Sequence, residues 1–148
     1  MKAPFLLGRL LFGGFFLYNG IHHFQELETL SKYAESKNVP AAKLGVAATG
    51  AALTIGGASV LLGIKPKMGT LAIMGFLATV SPLMHDFWHD QDPNQRMNNL
   101  VNFSKNMALM GASLALMGVE EPWPASVPVP RENKIDRARR LFRRKVAA

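Results

Sequence analysis

Three short clusters hold the residues of this chain that can do chemistry. "YNGIHHF" carries Asn19, His22 and His23. "HDFWHD" carries His85, Asp86, Trp88 and His89. "NFSKN" carries Asn102, Lys105 and Asn106. Imidazoles exchange protons near neutral pH and can donate or accept hydrogen bonds. Amide and ammonium groups donate to carbonyls or anions. His85 and His89 are four residues apart, the spacing of one helix face, and so are Asn98, Asn102 and Asn106, with Lys105 one step round.

The clusters lie at the ends of long apolar stretches, and those stretches set the architecture. Of 148 residues, 49% are hydrophobic and 18% charged, and the charges are segregated. Four stretches nearly free of charge read as helices of about the length that crosses a ~30 Å hydrocarbon layer, roughly 20 residues. They fall at about 3–24, 42–63, 68–88 and 98–119. Core helices of a soluble domain would instead show polar stripes at a 3.6-residue period. The expected fold is all-α, a four-helix transmembrane bundle occupying 1–119. The first stretch is too long for a signal-peptide core and no small-residue cleavage site follows it.

In this layout the three clusters share one membrane face. Lys105 lies about two turns below the interface, where a lone ammonium is costly, and Asp86 is the partner expected for it. Asn19, His22, His23, His85, Asp86, Trp88, His89, Asn102, Lys105 and Asn106 are thus expected to form one polar pocket. The competing reading is polar glue between helices.

The connections add detail. In "QELETLSKYAESKNVP", Leu27, Leu30, Tyr33 and Ala34 recur at helical spacing among charges, which predicts a short interfacial helix after the first span. "GIKPKMG" reads as a tight turn, and Pro82 should kink the third span. The second span is rich in Gly, Ala and Ser, so it should be the most closely surrounded helix. Residues 120–130 hold four prolines in nine residues and read as a semi-rigid linker, with Trp123 at the interface. Arg9 should snorkel to the headgroups.

Residues 131–148 form a basic tail that can fold as an amphipathic helix. Its eight Lys/Arg against Glu132 and Asp136 leave +6 of the chain's formal +7. Arg137, Arg140, Arg143 and Arg144 are the expected contacts to anionic lipid headgroups, and the charge carries no nucleic-acid reading. Excess Lys and Arg stay in the cytoplasm, which places the tail, Lys2, Lys65 and Lys67 there with both termini.

No cysteine is present, which excludes thiol chemistry, thiolate metal sites and covalent haem attachment. No metal site is read from the sequence. Haem ligation would need two neutral imidazoles facing one another across helices, and an imidazole beside Asp86 reads rather as a hydrogen-bonded pair.

"RLLFGGFFLYNGIHHF", "YAESKNVPAAKLG", "LLGIKPKMGTLAI", "HDFWHDQDP" and "NFSKNMALMGASL" together resemble the DoxX family of small membrane proteins, over residues 9 to about 116. His23 stands where that family commonly has a lysine. The resemblance implies a four-helix bundle in the bacterial inner (plasma) membrane. It also implies association with oxidoreductase complexes, including a thiosulfate:quinone oxidoreductase, and so a quinone as ligand. By motif it points to His85, Asp86, Trp88, Asn102, Lys105 and Asn106. Electrons would come from partner redox proteins or a bound cofactor, and a homo-oligomer is compatible. The alternative is a non-enzymatic small-solute transport, permeability or scaffold protein using the same pocket.

Overall fold

The apolar stretches fold as helices because a helix satisfies its own backbone hydrogen bonds where water cannot. The computed structural model describes residues 2–128 and is all-α, with no strand among the described residues. Its elements are α1 (Lys2–Gln25), α2 (Leu27–Ser36), α3 (Ala42–Leu62), α4 (Pro66–Met84) and α5 (Pro93–Met117). Three of them, α1, α3 and α4, are long and apolar enough to cross a membrane. The helix at the position of the fourth expected span, α5, is long enough at 25 residues. It is not among the apolar ones, because Asn94, Gln95, Arg96, Asn98, Asn99, Asn102, Lys105 and Asn106 crowd its first half.

α3 is central, packing on α1, α4 and α2. Its small residues make this contact possible. A Cβ on Gly57 would meet the backbone nitrogen of Leu17 at 2.4 Å. A Cβ on Gly20 of α1 would meet that of Thr54 at the same distance. α1 and α3 therefore touch backbone to backbone, which maximises dispersion contact. Phe12, Phe16, Leu53, Val60, Ile73, Leu77 and Trp123 form the main core.

α4 stops at Met84, short of the expected 88. Pro82 removes one backbone donor and crowds the preceding turn, and His85 has left helical geometry at φ −126°. The last regular bond is His85 N–H to Ser81 O. "HDFWHD" is therefore a loop, and His85 and His89 do not share a helix face. α5 begins earlier than expected: Asp92 caps it, accepting from Asn94 N–H at 3.1 Å, with Pro93 at the first helical position.

α2 lies across the end of the bundle where α1 stops and α5 starts. It buries Ser31 and Ala34, and Ala34 packs with Ala42 and Val46 of α3. Glu28 pairs with Lys43 at the surface. At the opposite end, Gly63 (φ 68°) and Lys65 (φ 47°) make the tight α3–α4 turn.

The proline-rich segment after α5 is not a free spacer through Pro128. Trp123 is 2% exposed and meets Phe5 edge-on at 5.4 Å. Val127 N–H donates to Leu62 O at 2.8 Å. Arg9 does not snorkel: it is 5% exposed, and its two terminal nitrogens donate to Pro124 O (2.7 Å) and Ala125 O (3.0 Å). A buried guanidinium needs acceptors, and the returning chain supplies two. The basic tail, with Arg137, Arg140, Arg143 and Arg144, lies outside the described residues.

Candidate functional site

A cavity of about 360 Å³ opens among the helices beneath α2. Its walls are mostly apolar, including Phe15 and Phe16 of α1, Leu30 of α2, Val46 and Leu53 of α3, Leu77, Val80 and Leu83 of α4 and Leu109 of α5. The polar residues Asn19, His23, Tyr33, Thr49, Thr79, His85 and Asn106 also line it. A volume of this order with few polar groups suits a small lipophilic ligand bearing a polar head.

The polar groups are held in defined states. His23 Nδ1 lies 2.7 Å from Asn19 O. A carbonyl only accepts, so Nδ1 carries the proton, and a neutral ring leaves Nε2 as an acceptor. Asn19 Nδ2 donates to Phe15 O at 2.8 Å, leaving its Oδ1 available. His85 Nδ1 lies 3.3 Å from Asn99 Oδ1, and Asn99 Nδ2 donates to Asp90 Oδ2 at 2.8 Å. The amide is thereby oriented with its oxygen toward the ring, so His85 Nδ1 also carries a proton. Asn99 is buried, and it links the cavity to a polar hollow outside α2. That hollow is lined by Lys37, Asp92, Asn98, Asn99 and Asn102 among others.

Asp86 does not pair with Lys105. Its Oδ1 accepts from Lys37 Nζ at 2.7 Å, and its Oδ2 lies 3.3 Å from His89 Nδ1. The Lys37 hydrogen bond, against the opposing cost of burial, holds the Asp86 carboxyl below its ordinary value. The same bond raises the Lys37 ammonium. Lys105 is exposed on the far side of α5. The difference from the expected Lys105 pair has a physical cause: α2 folds back and its C-cap, Lys37, reaches the end of α4. Tyr33 and Lys37, four residues apart, were the available signal for a face of α2 turned inward.

Of the ten residues expected to share one pocket, the cavity brings together Asn19, His23, His85 and Asn106. Asn102 lines the adjoining hollow. Trp88 is exposed and packs against Phe87 and Phe103. His22 stacks on Tyr18, away from the cavity lining, and the His89 side chain is largely exposed. Tyr33, Thr49 and Asn99 were missed: isolated hydroxyls and one amide in a run of them give no spacing signal.

The DoxX family model matches residues 5–86. The chain belongs to the DoxX family. The matched stretch takes in α1 to α4 and ends at Asp86, so "NFSKN" and the rest of α5 lie beyond it. This DoxX protein, with three helices apolar enough to span a bilayer, is a membrane protein. Neither a curated protein nor a solved structure matches the chain.

Proposed function

We propose that this protein is a four-span component of a quinone-linked redox assembly in a bacterial inner membrane, with α1, α3, α4 and α5 as the spans. The apolar cavity with Asn19, His23, His85 and Asn106 on its walls carries this reading. An apolar channel suits an isoprenoid tail, and the amide of Asn106 can donate to a quinone carbonyl. A quinol hydroxyl can donate to an imidazole Nε2 of His23 or His85, since each ring's other nitrogen is already engaged. The quinone supplies the electron-accepting chemistry when bound. With no cysteine in the chain, the electrons are supplied by a partner protein or a bound cofactor.

The Lys/Arg distribution supports both termini being cytoplasmic: Lys2, Lys65, Lys67 and the basic tail are the excess of positive charge that the sequence assigns to that side. The cavity then opens in the outer half of the bilayer. Buried Phe16, Leu53 and Leu77 close its inner side, which favours a held ligand over a conduit for solutes. The tail is proposed to bind anionic headgroups from the cytoplasmic side.

The test is extraction of the protein purified from native membranes, followed by identification of the released lipids and quinones. A quinone at near one equivalent, lost in a His85→Ala and Asn106→Leu double variant that stays folded, is the expected result. Retention of only bulk phospholipid by both forms overturns the quinone reading. Reporter fusions after Val119 and between Ser36 and Pro40 should report cytoplasmic and external sides respectively.

A further inference from the structure

α5 packs chiefly on α4 and leaves Val101, Ser104, Lys105, Ala108, Ala112 and Ala115 exposed. These residues recur at three- and four-residue steps and form one stripe. Lys105 stands four residues from the outer end of this stripe, about two turns below Asn98, and at the middle of α5, a helix about 37 Å long at 1.5 Å per residue. If α5 is the fourth span, a reading on which this inference rests, an ammonium faces outward well inside the hydrocarbon. Its stem leans toward the helix N-terminus but reaches only about one turn, roughly 5.4 Å.

Among the described residues no carboxylate pairs with Lys105. A second copy of the chain offers none either. Every Asp and Glu lies outside the helices expected to span: at the α2 end (Glu26, Glu28, Glu35, Asp86, Asp90, Asp92) or beyond α5 (Glu120, Glu121, Glu132, Asp136). Copies inserted in the same orientation therefore cannot neutralise each other at this depth, and would face lysine to lysine. An ionisable group at such a depth ordinarily faces protein or a water-filled cavity and pairs with an opposite charge or with backbone carbonyls.

We propose that the exposed stripe of α5 docks a transmembrane helix of a different protein, one carrying a carboxylate level with Lys105. Ala108, Ala112 and Ala115 below the lysine let that helix approach closely, and the charge-assisted bond fixes its depth and register.

The test uses the full chain reconstituted in phosphatidylcholine vesicles. The probe is a synthetic Leu/Ala transmembrane peptide with one Glu at mid-span, compared with the same peptide bearing Gln. Energy transfer from a dye on Glu120→Cys reads association, since the chain has no other cysteine. The Glu peptide should bind at least tenfold more tightly than the Gln peptide, and Lys105→Met should abolish the difference. Lys105→Glu should reverse the preference toward a Lys peptide. Equal binding of Glu and Gln peptides, or a Glu preference that survives Lys105→Met, overturns the proposal.

A dye on Ala108→Cys, quenched by lipids brominated at known depths, separates the two readings. A deep dye without a Glu preference rejects the docking site alone and leaves Lys105 snorkelling. A dye at the surface rejects the fourth span and the docking site with it.

Discussion

Lys37 Nζ and Asp86 Oδ1 stand 2.7 Å apart and join the end of α2 to the loop that follows α4. Neither residue lines the cavity, but Tyr33, one turn before Lys37, and His85, next to Asp86, both do. The Lys37 and Asp86 side chains are 16% and 25% exposed, so each is partly withdrawn from water. The pair fastens α2 over the site.

Removing one partner strands the other charge. Lys37→Met or Asp86→Asn alone should each cost about 1 kcal/mol of stability, and the double variant less than their sum. A double-mutant cycle on thermal unfolding in detergent measures this; strict additivity would show the two groups uncoupled.

The same pair sets a pH window. The lowered Asp86 carboxyl contributes stability that is full above its ordinary value of 3.8 and is lost as pH falls through the folded value beneath it. The raised Lys37 ammonium contributes stability that is full below 10.5 and is lost as pH rises through the folded value above it. The stability of the wild type minus that of the double variant should therefore be flat between these limits and fall outside them. A difference that changes near pH 7 would assign the effect to a histidine instead.

Arg9 fastens the opposite end. Arg9→Lys keeps the charge but cannot reach two carbonyls with a rigid fork, so the segment 120–128 should become open to protease while α1 to α4 stay folded. Trp123→Ala should cost about 3–5 kcal/mol, as for a large buried aromatic. Proteolysis of Arg9→Lys no faster than wild type would deny the clasp.

Gly45 lines the cavity, and a Cβ added there meets nothing within 4 Å. Gly45→Leu should fill the space. It should leave the melting temperature equal or higher, since a helical glycine costs about 1 kcal/mol, and should exclude the lipophilic ligand. Undiminished ligand recovery from this variant would place the ligand elsewhere.

Gly20 is the contrasting case. Its absent Cβ is filled by the Thr54 backbone at 2.4 Å, which cannot rotate away. Gly20→Ala should separate α1 from α3 and lower the melting temperature, whereas Gly14→Ala, whose Cβ would meet nothing within 4 Å, should not. Equal effects of the two would contradict the close approach.

Run length and charge segregation alone establish the all-α class and roughly where the long helices fall, because an uncharged run of about 20 residues has few other ways to satisfy its backbone, but not where α4 ends or α5 begins. The sequence also determined the tight turn at Gly63 to Pro66 and the small-residue character of α3, since glycine and proline act locally. Of the ten residues expected together, Asn19, His23, His85 and Asn106 line one cavity. Who pairs with whom followed from packing between distant segments. Asp86 takes Lys37 and not Lys105, because the direction in which α2 folds back depends on how Ala34 packs against Ala42 and Val46, a contact between segments that no local period encodes. Arg9 holds the carbonyls of Pro124 and Ala125, 115 and 116 residues away, for the same reason. A buried charge takes the acceptors that packing brings within reach, and packing is settled by the whole chain at once.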